Sequence, residues 1–202
     1  MSNGTVGDTA EALRSRPTPC HTPRRDAPSA PGNGKVLVIG LGNPLVSDDR
    51  VGLRVVQRLR ARLAGLPNVD VTEDYWGGLR LMERMIGYDQ AIVIDAICTG
   101  AEPGTIHALS TDMIPTQKSA SAHDVNLPTA LDFGRRAGVH VPNDRDVYLV
   151  GIEAQDVINF SDRCTPAVAA AIPYAVMRVV QLLGSLCPTM PISSPGRGQP
   201  VV

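Results

Sequence analysis

The chain is poor in the features that mark several common classes of protein. Only 3% of its 202 residues are aromatic, and its formal net charge is -1. Few side chains are therefore available to stack on single-stranded nucleic acid, and no overall positive charge attracts phosphate. The sequence also shows no secretory leader and no apolar run that approaches the length of a bilayer span. We expect no nucleic-acid partner, no membrane partner and a cytoplasmic location.

Cysteine pairs and standard catalytic motifs are missing as well. The four cysteines form no CxxC pair and no zinc-finger spacing, which favours reduced thiols over a disulfide framework. Cys98 directly follows an apolar run, and we expect it to be a small buried side chain. The chain contains no Gly-x-Ser-x-Gly and no His-Glu-x-x-His motif. If the protein is an enzyme, these absences favour metal-assisted chemistry.

The two ends of the chain differ in composition from its middle. Residues 1–34 and 185–202 are rich in Pro, Gly and Ser, and neither stretch has a periodic apolar pattern. We predict that both are disordered extensions. The remaining residues, 35–184, are enough for a single domain with one core.

Within that domain, strand and helix patterns alternate. Strands are predicted at 35–41, 69–72, 91–97, 105–109 and 146–152, and helices at 51–63, 79–86, about 123–137 and from Thr165 onward. Strands separated by helices favour a parallel sheet covered on both faces. Strand 105–109 follows its neighbour after a short turn, so we expect the two to form an antiparallel hairpin. The predicted fold is a three-layer α/β/α sandwich with a mixed, mostly parallel sheet of about five strands.

The apolar spacing also predicts which helix faces are buried. Positions 51, 55, 59 and 63 form one apolar stripe on the first helix, and Arg54, Arg58 and Arg62 lie off that stripe. In the second helix, Leu79, Met82 and Ile86 share a predicted buried face. In the last helix, the predicted buried face carries positions 168, 172, 175, 179 and 182.

Carboxylates lie at the carboxyl ends of two of the predicted strands, at the edge where open α/β sheets bind ligands. Asp95 ends a run of buried aliphatic residues, where an ionised carboxylate is costly unless it is paired or bound to a metal. Asp48 and Asp49 follow the glycines after the first strand, and His123 opens a helix. Each residue alone also fits a helix cap, a loop hydrogen bond or a surface position. Together, two carboxylates and an imidazole would form an open site for a divalent metal.

Several sequence blocks resemble the hydrogenase maturation proteases, which act on the large subunit of nickel–iron hydrogenases. The resemblance runs from about Lys35 to Leu183, nearly the whole predicted domain. The blocks are Ile39-Gly40-Leu41-Gly42-Asn43-Pro44 with Asp48-Asp49 and Val51-Gly52, Tyr88 to Ala96, Glu102 to Ile106, Ser121-Ala122-His123-Asp124, and Leu149 to Glu153.

The resemblance implies a phosphorylase/hydrolase-like fold and a specific activity. In that family, an acid of the first block, an Asp of the third strand and a His contact nickel, and the matching residues here are Asp49, Asp95 and His123. These three are therefore the expected catalytic and metal-binding residues. The resemblance further implies a monomeric endopeptidase that removes a C-terminal peptide from the hydrogenase large-subunit precursor. The nickel would arrive already bound to that precursor.

The chain departs from the family pattern in two places of the first block. Asp49 stands where the family often has the longer Glu, and Arg50 stands where it usually has Gly. In a later segment, Trp76 follows the second strand, either as an exposed substrate contact or as a packing residue at the rim.

Two other functions remain open from the sequence. Peptidyl-tRNA hydrolases share the Gly-Leu-Gly-Asn-Pro block, but the Tyr and the Thr-Arg-His-Asn block of that family do not follow here. A non-catalytic Rossmann-like or precursor-binding module would bind its partner without cleaving it. A dinucleotide site has little support, because Gly40-Leu41-Gly42 lacks the third glycine of that fingerprint.

Overall fold

A computed structural model of the protein describes Met1 and residues 34–110 and 126–186. The strands in these ranges are β1 (Val36–Leu41), β2 (Val69–Asp74), β3 (Gln90–Ile97), β4 (Ile106–Ser110) and β5 (Val147–Glu153). The helices are α1 (Val51–Leu63), α2 (Gly78–Arg84), α3 (Leu127–Arg136) and α4 (Pro166–Leu186). Each agrees in type with the element predicted from the sequence.

Some predictions fall on residues that the structure leaves undescribed. The predicted N-terminal extension, apart from Met1 and Gly34, and most of the C-terminal one lie outside the described residues. The same holds for the polar segment 111–125, which includes the predicted start of the third helix at His123. In the described part, the side chain of Asn126 accepts a hydrogen bond from the backbone N–H of Thr129 and so caps α3.

The five strands form one sheet in the order β2-β1-β3-β5-β4. The first four strands in this order pair in parallel, and β4 pairs antiparallel with β5. α1 and α4 pack on one face of this sheet, and α2 and α3 contribute to the core on the other face. The prediction of a three-layer α/β/α fold with a mixed, mostly parallel sheet is therefore confirmed.

The hairpin predicted for residues 105–109 is wrong in its partner. β4 pairs with β5, its Ala108 lying opposite Val150, and not with β3, which precedes it in the chain. Both edges of β3 are occupied by the parallel strands β1 and β5. The chain therefore passes β5's position and adds β4 at the outer edge, where an antiparallel strand completes the sheet.

The two cores follow from the alternation of side chains along the strands. In β1, Val36 and Val38 pack with α1 and α4, whereas Leu37, Ile39 and Leu41 belong to the core with α2 and α3. β1 is buried along its whole length because both of its faces are covered. This position between two helical layers fixes where the end of β1 emerges at the sheet edge.

The predicted buried face of the second helix is only partly right. Met82 is buried, but Leu79 and Ile86 are 42% and 46% exposed, and Leu81 and Met85 are buried in their place. The segment offers two apolar stripes at helical spacing, so the sequence pattern alone does not choose between them. Packing against α3 and the sheet selects the stripe at positions 81, 82 and 85.

The last helix is longer and more apolar than the sequence analysis allowed. α4 has 21 residues, continues through Pro173, and reaches a mean hydropathy of 1.6, which by length and composition alone would suffice to cross a membrane. The prediction that no apolar run approaches the length of a bilayer span is therefore wrong. One face of α4 is buried against α1 and the sheet, as expected of a core helix, through the residues Val168, Ala171, Ile172, Ala175, Val176, Val179 and Leu183.

Glycines allow the start of α1 to lie directly on the ends of β1 and β3. A Cβ at Gly52 would lie 2.3 Å from the carbonyl oxygens of Ile94 and Leu41, and a Cβ at Gly40 would lie 2.3 Å from the carbonyl oxygen of Gly52. Gly42 has a φ of 143°, which side chains rarely adopt. These glycines therefore serve backbone packing, and they bring the 42–50 loop against the end of β3.

This close packing predicts that Gly52→Ala destabilises the fold. The added methyl group would clash with two carbonyl oxygens, and we expect the free energy of unfolding in urea to fall by about 3 kcal/mol or more. Gly184→Ala is the matched control, because it adds the same group inside α4 with no atom within 4 Å. Because alanine has a higher helix propensity than glycine, this control should leave the free energy of unfolding unchanged or raise it by up to about 1 kcal/mol. Equal losses in both variants would contradict the packing role of Gly52.

Candidate functional site

Asp49 and Asp95 lie together at the edge of the sheet where β1 and β3 end. β1 and β3 pair in parallel with Gly40 opposite Ile94, so Asp95 is level with the end of β1. The chain leaves β1 at Leu41 and returns to this edge in a short 3-10 turn at Asp48–Arg50. The two carboxylates are close enough for the negative charge of Asp49 to raise the pKa of Asp95.

The protonation of Asp95 is strongly shifted by its surroundings. Burial, together with the negative charge of Asp49, raises the pKa of Asp95 to about 7, although a hydrogen bond from the backbone N–H of Ala96 favours the ionised form. Asp49 accepts one hydrogen bond, from the backbone N–H of Asn43 at 2.8 Å. Within the described residues, the second oxygen of each carboxylate accepts no hydrogen bond. Such a pair attracts a cation.

The third member of the predicted site, His123, lies outside the described residues. Among residues 34–110 and 126–186, no three His, Cys, Asp or Glu side chains are grouped closely enough to hold a metal ion. The structure therefore brings two of the three predicted ligands together, and the assignment of all three stays a prediction. The open oxygens of Asp49 and Asp95 could supply two ligands to a divalent metal.

Asp48 has a different role from its neighbour. Its fully buried carboxylate accepts hydrogen bonds from the backbone N–H groups of Gln155, Asp156 and Thr165 and from the Thr165 hydroxyl, at 2.7–2.9 Å. Asp48 thus joins the loop after β1 to the loop between β5 and α4. Thr165 directly precedes α4, so these hydrogen bonds also hold the start of that helix.

Arg50 strengthens the same connection. Its buried guanidinium donates to the carbonyl oxygens of Pro44 and Ser161, one on each loop. Val46 and Phe160 form an isolated antiparallel bridge between the two loops. The arginine therefore acts as a cross-link between the loops.

Glu153 is a buried residue at this edge to which the sequence analysis assigned no role. Its two oxygens accept hydrogen bonds from the backbone N–H groups of Thr99 and Gly100 and from the Thr99 hydroxyl, at 2.7–2.8 Å. Burial alone would raise the pKa of Glu153, but these hydrogen bonds outweigh it and hold the pKa below its ordinary value. Glu153 thereby fixes the turn that follows Asp95. Its place in the Leu149–Glu153 block was the available signal.

The expectation that Cys98 is buried is wrong. β3 ends at Ile97, so Cys98 is the first residue of the following loop and its side chain is exposed. Desolvation and the negative charges of nearby carboxylates, chiefly Glu153 and Asp49, raise the pKa of the Cys98 thiol. A thiol in this environment stays protonated at neutral pH and is a poor nucleophile.

Large apolar side chains are exposed in loops at the same edge of the sheet. Trp76, in the loop after β2, is 60% exposed, and the guanidinium of Arg80 lies 5.7 Å from the centre of its ring. The two joined loops expose Leu45, Ile158 and Phe160. Exposed apolar groups of this size around a polar centre are typical of a surface that contacts another polypeptide.

The comparisons with known proteins agree on one family. The family model described as hydrogenase maturation protease matches residues 53–182. The hydrogenase expression/formation protein HupD of Rhizobium leguminosarum bv. viciae is 30% identical over 161 residues, which cover 78% of this chain and 77% of that protein. The hydrogenase 2 maturation protease of Escherichia coli is 28% identical over 152 residues, covering 74% of this chain and 90% of that protein.

A solved structure supports the same assignment. The hydrogenase maturating endopeptidase HybD from E. coli superposes with a TM-score of 0.65 at 28% identity, covering 75% of this chain and 93% of that chain. The resemblance stated from the sequence blocks is therefore confirmed, and peptidyl-tRNA hydrolase has no support from these comparisons.

The hydrogen bonds of the two neighbouring acids predict losses of stability of different size. Asp48→Ala would leave three part-buried backbone N–H groups and the Thr165 hydroxyl without their acceptor, and we expect the free energy of unfolding to fall by about 3 kcal/mol or more. Asp49→Ala removes one acceptor at a half-buried position and should cost about 1 kcal/mol. Urea denaturation of both variants measures the difference. Equal losses would contradict the structural role assigned to Asp48.

The raised pKa of Asp95 predicts a pH-dependent stability in the metal-free protein. The carboxyl is protonated in both folded and unfolded chains below about pH 4 and ionised in both above about pH 7, where the folded state carries the full cost of the buried charge. Ionisation of Asp95 should therefore lower the free energy of unfolding progressively across this range, by up to about 4 kcal/mol.

The Asp95→Asn variant isolates this effect. The stability of the variant minus that of the wild type should rise between pH 4 and pH 7, measured by urea denaturation with a chelator present. A constant difference would contradict the buried charge.

Proposed function

The chain belongs to the hydrogenase maturation protease family and is a peptidase; from this premise we propose that it cleaves a C-terminal peptide from the nickel-loaded large-subunit precursor of a nickel–iron hydrogenase. The observation that supports this most is the pair of carboxylates, Asp49 and Asp95, at the sheet edge. Their mutual repulsion and their open oxygens make the edge suited to a cation that the substrate brings.

The proposed ligands are Asp49, Asp95 and His123. The negative charge of Asp49 contributes to the raised pKa of Asp95. A divalent cation bound between the two carboxylates would displace the proton of Asp95 and remove their repulsion. Asp95 is held in place by the backbone N–H of Ala96, and Asp49 by that of Asn43. Both carboxylates therefore offer one oxygen in a fixed direction.

The nickel belongs to the substrate in this proposal. A cation held by the precursor and completed by these ligands can polarise the scissile carbonyl or activate a water molecule. The water oxygen then bonds to the carbonyl carbon, the C–N bond breaks, and the new amine leaves with a proton. Asp48 takes no part in this step, because its oxygens are occupied by the neighbouring loop.

Dependence on nickel would make the protease a checkpoint. Without a cation, the edge presents two acids that repel each other and attract no neutral peptide. A precursor that has not received nickel therefore lacks the group that anchors it. The proposal also includes a cytoplasmic location and a monomeric enzyme, as expected from the sequence and the family resemblance.

The checkpoint predicts that only nickel-loaded precursor is processed efficiently. Purified precursor with and without nickel is mixed with the protein, and intact mass measurements follow the loss of the C-terminal peptide. We expect the nickel-free precursor to react at least about tenfold more slowly, because the polarising cation is missing. Equal rates for both forms would contradict nickel recognition. Stable binding of the loaded form without any cleavage would contradict the peptidase step.

Variants of the proposed ligands test the site itself. Asp49→Asn, Asp95→Asn and His123→Ala should each lower the rate with loaded precursor by about 100-fold, the scale of losing a group that acts on the transition state. His140→Ala is the matched control, because His140 is exposed and pairs with Asp89, next to Gln90 at the start of β3. Full activity in His123→Ala would remove His123 from the site.

A further inference from the structure

A cavity of about 490 Å³ lies between α1 and α4, and neither of the two carboxylates described above lines it. Its walls include Arg54 and Arg58 of α1, Asp162 and Arg163 of the loop before α4, and Ile172 of α4. A volume of this size accommodates a small ligand or several side chains of a peptide. Nothing in the proposed reaction uses this cavity.

The cavity carries an excess of positive charge. Its lining contains three arginines and one aspartate. That aspartate, Asp162, pairs with Arg163 at 3.6 Å between Oδ1 and Nε, and both side chains are 87% exposed. Arg54 donates to the carbonyl oxygen of Asp162 and to Gln57, both at 3.2 Å and both uncharged. In the described part of the chain, no carboxylate pairs with Arg54 or Arg58. α1 itself contains no acidic residue.

The lining suits carboxylate side chains. Guanidinium groups bind carboxylates through paired hydrogen bonds, and Ile172 with Ala169 adds an apolar surface for the aliphatic part of a Glu side chain. No aromatic side chain lines the cavity, so stacked nucleic-acid bases have no platform. These features suit an acidic stretch of polypeptide.

The ends of this chain do not have the charge to fill the cavity. The first 33 residues contain four arginines and three acidic residues, and the last 16 contain one arginine and no acidic residue. Both ends therefore carry a positive excess, like the cavity. Charge complementarity points to a separate polypeptide.

One loop connects the cavity to the candidate site. Cys164 lines the cavity, and the backbone N–H of the next residue, Thr165, donates to Asp48 at 2.7 Å. Asp48 in turn is the neighbour of Asp49. We propose that this arginine-lined cavity binds an acidic stretch of the same precursor whose cleavage is catalysed at the edge of the sheet. The identity of the partner rests on the proposed function, whereas the preference for acidic polypeptide does not.

Direct binding tests the cavity without any cleavage. A short, labelled glutamate-rich peptide and its glutamine analogue are titrated with the full chain and followed by fluorescence anisotropy. The glutamate peptide should bind, and added salt should weaken it because the interaction is electrostatic. The Arg54→Glu/Arg58→Glu double variant should weaken binding by about tenfold or more. Binding of both peptides with equal affinity would overturn the proposal.

Two further variants keep the test specific to the cavity. Arg58→Glu alone alters no hydrogen bond or ion pair within the described chain, and it should still weaken binding severalfold. Arg62→Glu is the matched control, with the same charge change on an exposed position of α1 outside the cavity lining. Equal weakening by Arg62→Glu would assign the effect to general surface charge. Binding of inorganic phosphate but not of the glutamate peptide would assign the cavity to small anions and overturn the proposal.

Processing of nickel-loaded precursor then identifies the partner. The double variant should raise KM about tenfold and leave kcat unchanged, because it removes binding at a distance from the reacting bond. Replacement of acidic residues in the precursor by their amides should abolish this difference. If the wild type binds the glutamate peptide but the double variant processes precursor with an unchanged KM, the precursor is not the occupant of the cavity. If the wild type cleaves no precursor, the proposed function fails, while the peptide titration still decides the cavity.

Discussion

The arrangement of the sheet edge depends on one buried carboxylate, that of Asp48. Its four hydrogen bonds, all to residues more than 100 positions away, join the loop after β1 to the loop before α4. Arg50 adds a second connection between the same loops. A buried carboxylate is tolerated here because its oxygens accept these four hydrogen bonds. Asp49 owes its position beside Asp95 to this fixed turn.

Most of the fold could be predicted because its elements carry strong local patterns. The apolar runs of β1 and β3 and the four-residue spacing of α1 identify type and position directly. The pairing of β4 with β5 could not be predicted, since it depends on which strand edges remain open after the parallel strands have assembled. The buried stripe of α2 was ambiguous for a similar reason, because only contact with α3 and the sheet distinguishes Leu81 from Leu79.

The candidate site divides along the same line. Asp95 and the Asp48–Asp49 pair were predicted to lie close together because the carboxyl ends of neighbouring parallel strands meet at one edge. The family resemblance then pointed to Asp49 as the expected ligand. The roles of Asp48 and Glu153 depend on hydrogen bonds to loops far away in the chain, and these partners cannot be predicted from the local sequence. Asp48 and Asp49 are chemically identical neighbours, and the structural role of Asp48 becomes visible only from its hydrogen bonds in the fold.

The linked loops also bear on how a substrate would bind. Leu45, Ile158 and Phe160 are displayed by backbone that is already cross-linked through Asp48, Arg50 and the bridge between Val46 and Phe160. A partner that docks on these side chains would meet a preorganised surface, and little binding energy would be lost to immobilising the loops. Association should then resemble the fit of two rigid bodies more than coupled folding.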